Sequence, residues 1–316
     1  MQKNLTFIFC LLFLLPSNGQ KKEAFYDFYW NPCDPTSARY YSTVEKTDSG
    51  WLRKDYFIGT MKLQMQVLYE DETCKIPNGN VYYYHANGNP SMIGRKVHGK
   101  KEGVCMNFHS NGMTEDSAIY KNDKAIGNKL SWHRNGYTSD SVSHVNDSLD
   151  VHVGWFDHGG HAFAGYLLYG KRHGKWQYFH HNGKLSALIK YEKDIVVDKQ
   201  YFNEDGSTLL DTSQVNKEAA FAKGGLSGWK KYLEKKLHWP HGLKFNTSAQ
   251  ATVGVSFSIN EQGKVEDVEI VVPLHPEFDK IAERIIKESP DWVPGVLHNR
   301  KVKSWHTQPI TFAQTE

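Results

Sequence analysis

The sequence predicts an α+β protein: a mostly-β repeat array of stacked hairpins followed by a small α+β domain with the element order α-β-β-α-β. Two observations predict this fold class. Glycines of hairpin turns recur every 23 or 24 residues through the middle of the chain, and beyond residue 218 helical and strand patterns alternate. A fixed period of this size is typical of repeat proteins, in which each unit buries its apolar face by stacking on its neighbours.

The repeat is clearest in a phrase that places a glycine five positions before an aromatic-His-x-Asn-Gly motif. Four copies end in the glycine of this motif, and two more have altered turns: Gly88, Gly112, Gly136 and Gly183, then Gly159 or Gly160, and Gly206. Asn-Gly is the strongest sequence signal of a two-residue hairpin turn, in which both turn residues have positive φ. Each unit is therefore predicted to be a β-hairpin.

Residues 76–210 resemble the MORN-repeat variant of many bacterial secreted and antitoxin-like proteins. The resemblance implies stacked hairpins in an elongated, gently twisted sheet, with a binding or scaffolding role and no catalytic set. Residues 20–75 are predicted to form an N-terminal cap that contains a degenerate repeat, with strands at 51–57 and 63–69. Arrays need such a cap because the edge of their first unit is otherwise open.

The composition changes after a polar linker at residues 211–218. Apolar periodicities then predict two helices and three strands in the order α-β-β-α-β: residues 225–237, 253–259, 268–272, 275–289 and 302–312. Several phrases in this region are distinctive: Tyr232-Leu233, Trp239-Pro240, Ile259-Asn260-Glu261-Gln262-Gly263-Lys264-Val265, Trp292-Val293-Pro294-Gly295 and Gln308-Pro309-Ile310-Thr311-Phe312.

With these phrases, residues 219–316 resemble the TonB C-terminal domain. The resemblance implies a periplasmic domain whose last strand presents an edge that pairs with a peptide from an outer-membrane transporter. It implies partner-binding residues along that edge: Lys301, Val302, Lys303, Ser304, Trp305, His306 and Thr307.

The N-terminus is typical of a secretory signal peptide over residues 1–19. Lys3 supplies the positive charge, residues 5–15 form a short apolar stretch, and Ser17 and Gly19 precede a predicted cut before Gln20. The sequence contains no run of 18 apolar residues, so no transmembrane helix is predicted. We therefore expect an exported, periplasmic or outer-membrane-associated protein.

Export would leave three cysteines in an oxidising compartment, which allows one disulfide and a leftover thiol. We expect Cys33 to pair with Cys74, because Cys105 occupies an ordinary strand position in a repeat.

Histidine is the residue type that most suggests a metal site. Four histidines hold one place in four repeats: His85, His109, His133 and His180. Neighbouring repeats stand about 9–10 Å apart in a continuous sheet, too far for shared coordination, so packing beside the turns is favoured. A looser group surrounds the fourth and fifth units, and a metal is not predicted there either: His158, His161, His173, His180 and His181.

Other chemistry has no support in the sequence. It contains no nucleophile elbow, no phosphate-binding glycine loop and no paired carboxylates, and its net charge of +3 is too small for a nucleic-acid surface. Aromatic residues on the hairpins could form an exposed binding row, although cross-strand pairing is favoured: Tyr82, Tyr83, Tyr84, Trp176 and Tyr178.

The sequence therefore predicts a non-enzymatic binding protein of the cell envelope without a cofactor. Its partner would be a protein or peptide, with an outer-membrane transporter as the candidate, and it would bind by strand addition to the TonB-like domain. The alternative is an antitoxin-like or scaffold protein that acts through the MORN-like array.

Overall fold

In a computed structural model of the chain, residues 21–243 and 251–313 are described. The first 16 strands form one antiparallel sheet in which consecutive strands pair, except that β7 and β8 both pair with β6 and not with each other. The strands are β1 Lys22–Tyr26, β2 Tyr40–Thr47, β3 Gly50–Phe57, β4 Lys62–Tyr69, β5 Pro77–Tyr84, β6 Pro90–Val97, β7 Lys100–Lys101, β8 Gly103–Phe108, β9 Thr114–Lys121, β10 Lys124–Trp132, β11 Thr138–His144, β12 Leu149–Trp155, β13 His161–Leu168, β14 Lys171–Phe179, β15 Leu185–Glu192 and β16 Ile195–Tyr201.

The turns of the repeat motif differ from the prediction. Gly88, Gly112, Gly136 and Gly183 have positive φ, as expected, but the asparagines before them do not. In the first copy the Gly88 amide donates to the His85 carbonyl at 2.8 Å, and the His85 amide donates to the Asn89 carbonyl at 2.8 Å. These bonds close a three-residue loop in which only the glycine is left-handed. The predicted two-residue geometry is therefore wrong.

Two-residue turns with positive φ at both positions occur at the opposite ends of the hairpins. None of them has the Asn-Gly spelling, so the sequence pattern did not predict them: His98-Gly99, Asn122-Asp123, Tyr169-Gly170 and Lys193-Asp194. The two long edges of the array therefore carry different turns, and the Asn-Gly edge (the edge at the aromatic-His-x-Asn-Gly motifs) forms a row of its own.

One face of the array is buried at both ends of the sheet. Val67 and Val81 are fully buried in the N-terminal half, and Trp176 and Tyr178 are buried in the C-terminal half. Glycine provides room for the large rings. A Cβ atom at Gly165 would lie 2.2 Å from the Trp176 ring, so any larger residue would displace the indole.

Burial of Trp176 and Tyr178 agrees with the cross-strand pairing favoured for the repeat aromatics. Both side chains are at most 4 % exposed, and each packs across strands on Phe163 of β13, with ring centroids 5.9 Å apart for Trp176 and 6.3 Å apart for Tyr178. Tyr82, Tyr83 and Tyr84 are half-buried.

Residues assigned to the N-terminal cap lie in the same sheet as the repeats. Strands β3 and β4 occupy the spans predicted at residues 51–57 and 63–69. The predicted disulfide is absent, since Cys33 and Cys74 are both free thiols. Cys105 is a buried strand residue, as predicted, and its sulfur fills the space over a glycine of β6.

The C-terminal domain has the predicted order of helices and strands. A three-stranded antiparallel sheet of order β19-β18-β23 carries both helices on one face. Four short strands accompany it, and the elements are β17 Ala220–Phe221, α1 Gly225–Lys236, β18 Ala251–Ile259, β19 Val265–Val272, α2 Pro276–Lys287, β20 Trp292–Val293, β21 Gly295–Leu297, β22 Arg300–Val302 and β23 Ser304–Phe312.

The core of this domain lies between the sheet and its helices. Trp229 of α1 is 4 % exposed, and its indole Nε1 donates to Gln308 Oε1 on β23 at 2.9 Å. Phe278 and Ile286 of α2 are fully buried against the same sheet. The helices therefore cover one face of β23 and leave its other face and its outer edge uncovered.

Candidate binding edge and interdomain cleft

The histidine of each repeat motif bonds to the following repeat. Its Nε2 donates to the carbonyl oxygen of the aromatic residue before the next turn, and the distances are 2.7–2.9 Å: His85–Phe108, His109–Trp132, His133–Trp155 and His180–Phe202. The imidazole therefore satisfies a carbonyl that the hairpin leaves unpaired.

The asparagine of the motif forms a second ladder. Its side-chain amide donates to the carbonyl two residues further along the next repeat, at 2.7–2.9 Å: Asn87–Ser110, Asn111–Arg134, Asn135–Asp157 and Asn182–Glu204. The histidine and the asparagine of the motif therefore supply the side-chain hydrogen bonds that join each hairpin to the next.

Within residues 21–243 and 251–313, no group of three His, Cys, Asp or Glu side chains could hold a metal ion.

The variable x residue of the motif faces the C-terminal domain. Ser110 Oγ donates to Glu269 on β19, and Arg134 pairs with the same carboxylate through Nη2. His181 Nε2 lies 4.0 Å from Glu261 in the β18–β19 turn. The Asn-Gly edge therefore forms the surface on which the C-terminal domain docks.

His181 also joins the irregular fourth turn. Its Nδ1 lies 3.2 Å from His158 Nε2, and its ring stacks on Phe156 at 4.0 Å. Of the five histidines grouped around the fourth and fifth units, His158 and His181 are therefore in contact, and Phe156 packs beside them.

A second docking contact is made by the anchor hairpin, the β21–β22 hairpin at residues 295–302. Arg300 is 9 % exposed and donates to the carbonyl oxygens of Phe179, at 3.0 Å, and Ala162. The His298 ring packs against the Tyr178 ring, with centroids 3.8 Å apart and planes tilted by 30°, and Asn299 donates to the Phe202 carbonyl at 2.7 Å.

Burial changes the ionisation of two groups in the anchor hairpin. Desolvation lowers the pKa of His298 to about 4, and the neighbouring Arg300 charge acts in the same direction. Desolvation also lowers the pKa of Arg300, to about 10. The imidazole is therefore neutral and the guanidinium charged at neutral pH.

The predicted partner-binding residues divide between two elements. Lys301 and Val302 belong to the anchor hairpin, and Lys303 connects it to β23. Residues 304–307 form the first half of β23, whose only strand partner within the described ranges is β18. The structure thus brings four of the seven residues onto an edge strand.

Side chains of β23 alternate between the helix face and the opposite face. His306 is half-buried and stacks on Phe257 at 5.6 Å, and desolvation lowers the pKa of its imidazole. Trp305 and Thr307 are exposed on the face away from the helices. Arg134 of the array lies over the Trp305 ring at 5.6 Å, so this face looks towards the array.

A cleft of about 930 Å³ separates the array from the uncovered face of the domain sheet. Its domain wall includes Ser256, Asp267, Glu269, Lys303 and Trp305. The array wall includes residues of the motif turns and of the strand ends beside them: Phe108, Glu115, Asp116, Ser131, Trp132, Arg134 and Asp157.

The cations of the cleft are already paired. Lys303 Nζ lies 2.7 Å from Asp267 Oδ2, and Arg134 contacts both Asp267 and Glu269. Burial alone would raise the pKa of Asp267, but its bonds to Lys303 and Ser258 hold that pKa below its usual value. Asp267 and Glu269 of the domain are therefore paired with cations, whereas the carboxylates of the array wall, Glu115, Asp116 and Asp157, are not.

Residues 246–313 match the family model of the Gram-negative bacterial TonB protein C-terminal domain. This match supports the assignment of the C-terminal domain to a family of non-enzymatic protein-interaction domains. No MORN family model matches the strand array, although its stacked hairpins are present. No curated protein matches the chain. No helix among the described residues is long and apolar enough to cross a membrane.

The residues that join the array to the C-terminal domain were not predicted from the sequence. Arg134 and Arg300 lie 166 positions apart, and both make their decisive contacts across the interdomain surface. One signal was available, because the x position varies while the rest of the motif repeats. A position free to vary inside a repeat is one that the repeat ladder does not use.

Proposed function

We propose that this protein binds an extended protein segment at the cell envelope by adding it as a strand to the free edge of β23. The observation that carries the proposal is the position of β23 at the rim of the domain sheet, with β18 as its strand partner on one side only within the described chain. Unpaired main-chain groups on such an edge supply affinity for an extended peptide, and pockets for alternate side chains supply selectivity.

Proline in β23 indicates which main-chain groups are free. Pro309 lies opposite Gly254, and a proline fits a strand where its nitrogen faces away from the ladder. Main-chain groups of residues two positions apart point to the same side. The amides of Thr307 and Trp305 should therefore face outwards, and residues 303–307 form the free edge.

A proline at Thr307 tests the edge. Thr307→Pro removes one outward amide and leaves the β18 ladder, so binding of N-terminal peptides from outer-membrane receptors should fall at least about tenfold, the equivalent of one or two hydrogen bonds. Thr307→Ala keeps the amide and serves as the control. NMR titration of the full chain should show shifts at residues 303–309, and shifts confined to the array would contradict strand addition.

We propose further that the protein is exported and that residues 1–19 are removed. These residues lie outside the described ranges, so the proposal rests on the charged start, the short apolar stretch and the small residues before Gln20. Mass spectrometry of the native protein should give a chain beginning at Gln20. A full-length chain in the membrane fraction would contradict cleavage.

The array offers a second candidate surface, which favours a scaffold role. Its outer face carries a row of exposed apolar side chains joined by cross-strand register, with Val104 opposite Ile119 and Ile119 opposite Ile126. These three side chains are 45–54 % exposed. Loss of a captured envelope partner in Val104→Lys/Ile119→Lys, but not in Thr307→Pro, would support this role over strand addition.

A further inference from the structure

We propose that the interdomain cleft selects a basic peptide, whose lysine or arginine side chains are held by Glu115, Asp116 and Asp157 of the array. This inference rests on the strand addition proposed above and adds the chemical class of the ligand. It also assigns the array a direct part in binding.

Strand geometry directs ligand side chains into the cleft. Residues directly opposite each other in an antiparallel pair project to the same side of the sheet. The Trp305 side chain lines the cleft between the domain and the array. A peptide residue opposite Trp305, and those two positions away on either side, would therefore project towards the array wall.

The charge of the cleft selects among those side chains. Five carboxylates and two cations line it, which leaves an excess of three negative charges in a chain whose net charge is +3. Among the described residues, Glu115, Asp116 and Asp157 have no lysine, arginine or histidine nitrogen within 4.0 Å, and the Asp116 carboxylate accepts hydrogen bonds from the neutral amide of Asn107 at 3.0 Å. A cationic side chain would be attracted to this uncompensated negative charge.

The aromatic walls favour long cationic side chains over a small ion. Phe108, Trp132 and Trp305 line the same cleft, and aliphatic stems of lysine and arginine pack on such rings. Trp305 already has two cations near its ring, Arg134 at 5.6 Å and Lys303 at 5.8 Å. This geometry is that of a cation–π contact.

The exposed carboxylates allow a clean test in the full chain. Fluorescence anisotropy would compare three labelled peptides of about nine residues that alternate valine with lysine, glutamine or glutamate. The lysine peptide should bind about tenfold more tightly than the glutamine peptide, and added salt should narrow this difference, because exposed charges are screened.

Substitutions in the cleft test whether Glu115 and Asp157 cause the preference for the lysine peptide. Glu115→Gln/Asp157→Asn should weaken the lysine peptide about tenfold and leave the glutamine peptide unchanged. Both residues are exposed, so the fold should survive. The matched control is Asp147→Asn/Glu204→Gln, which removes two exposed carboxylates outside the cleft and should change neither affinity.

The outcomes separate the two proposals. Equal binding of the lysine and glutamine peptides, with both lost in Thr307→Pro, would overturn the charge selection and leave strand addition standing. Lysine-peptide binding that requires Glu115 and Asp157 but survives Thr307→Pro would support the cleft and contradict strand addition. Absence of binding by all three peptides would overturn the proposal for the cleft.

Discussion

The Arg300 guanidinium donates to the backbone carbonyl oxygen of Phe179 at 3.0 Å and so ties the anchor hairpin to strand β14. The same guanidinium donates to Ala162 and lies over the Phe156 ring at 5.2 Å. Two carbonyls at the ends of array strands are thereby satisfied by a residue more than 100 positions away. This contact and the Arg134 ion pairs place the C-terminal domain along the Asn-Gly edge.

Removal of the Arg300 guanidinium should destabilise the docked arrangement. Arg300→Leu would leave the Phe179 and Ala162 carbonyls without their charged donor, at a cost of about 2–3 kcal/mol. Urea unfolding would measure the loss. Lys301→Leu is the control, because Lys301 is exposed and should change stability by less than about 0.5 kcal/mol. Similar losses in both variants would show that Arg300 is not an anchor.

Stability should fall as pH falls from about 6.5 to about 4. Burial lowers the pKa of His298 from 6.5 to about 4, so the unfolded chain binds a proton in this window that the folded chain does not. The stability that depends on neutral His298 is therefore fully present above pH 6.5 and is lost progressively as the pH falls towards 4. The expected loss is on the order of 1–2 kcal/mol, after a reduction for solvent screening.

His298→Asn tests the origin of that pH dependence. Asparagine tolerates the left-handed φ of 54° at this position and does not titrate. Thermal unfolding of the variant between pH 7 and pH 4 should follow a flatter curve than the parent chain. Parallel curves would assign the pH dependence to other groups.

A β-branched residue at a motif turn should strain the array. Gly136 has φ of 88°, and a Cβ atom there would lie 3.1 Å from the end of the Met113 side chain. Because the methionine can move, the backbone angle should dominate, and Gly136→Val should cost more than about 1 kcal/mol. Lys190→Val on an exposed position of β15 is the comparison. Equal melting losses would contradict the strained turn.

Loss of one histidine of the ladder should weaken two repeats at once. His109→Leu would leave the Trp132 carbonyl, now bonded at 2.8 Å, without its donor, at a cost of about 1–2 kcal/mol. His241→Leu is the control, because His241 is exposed. Hydrogen exchange should show faster opening on both sides of the mutated turn. Protection lost in one hairpin only would argue against a ladder.

The sequence predicted the elements well where a period repeats. Turn glycines at a constant interval predicted the hairpins, and helical steps around Trp229 and Phe278 predicted α1 and α2. Such patterns are local, because burial of one face imposes its own period on the chain. The two-residue geometry predicted at Asn87-Gly88 was wrong, because the His85 amide bonds to the Asn89 carbonyl and closes a three-residue loop.

The cysteines show the same contrast between what a local pattern predicts and what the contacts between distant segments decide. Cys33 and Cys74 were paired by counting, yet Cys33 lies in the connection between β1 and β2, Cys74 lies in the connection between β4 and β5, and neither forms a disulfide. The number of cysteines in the sequence shows which residues could form a disulfide. The distance between them is decided by the folded chain.

What the sequence by itself determined is a repeat array of hairpins, a TonB-like domain and an edge strand at its end. Only the tertiary structure decided that the uncovered face of that domain turns towards the array, so that Trp305 and Glu115 line one cleft. The physical reason is that contacts such as Arg134 with Glu269 join residues without any shared period. Periodicity reports which face of an element is buried, whereas charge pairing and buried hydrogen bonds between distant segments decide what that face meets.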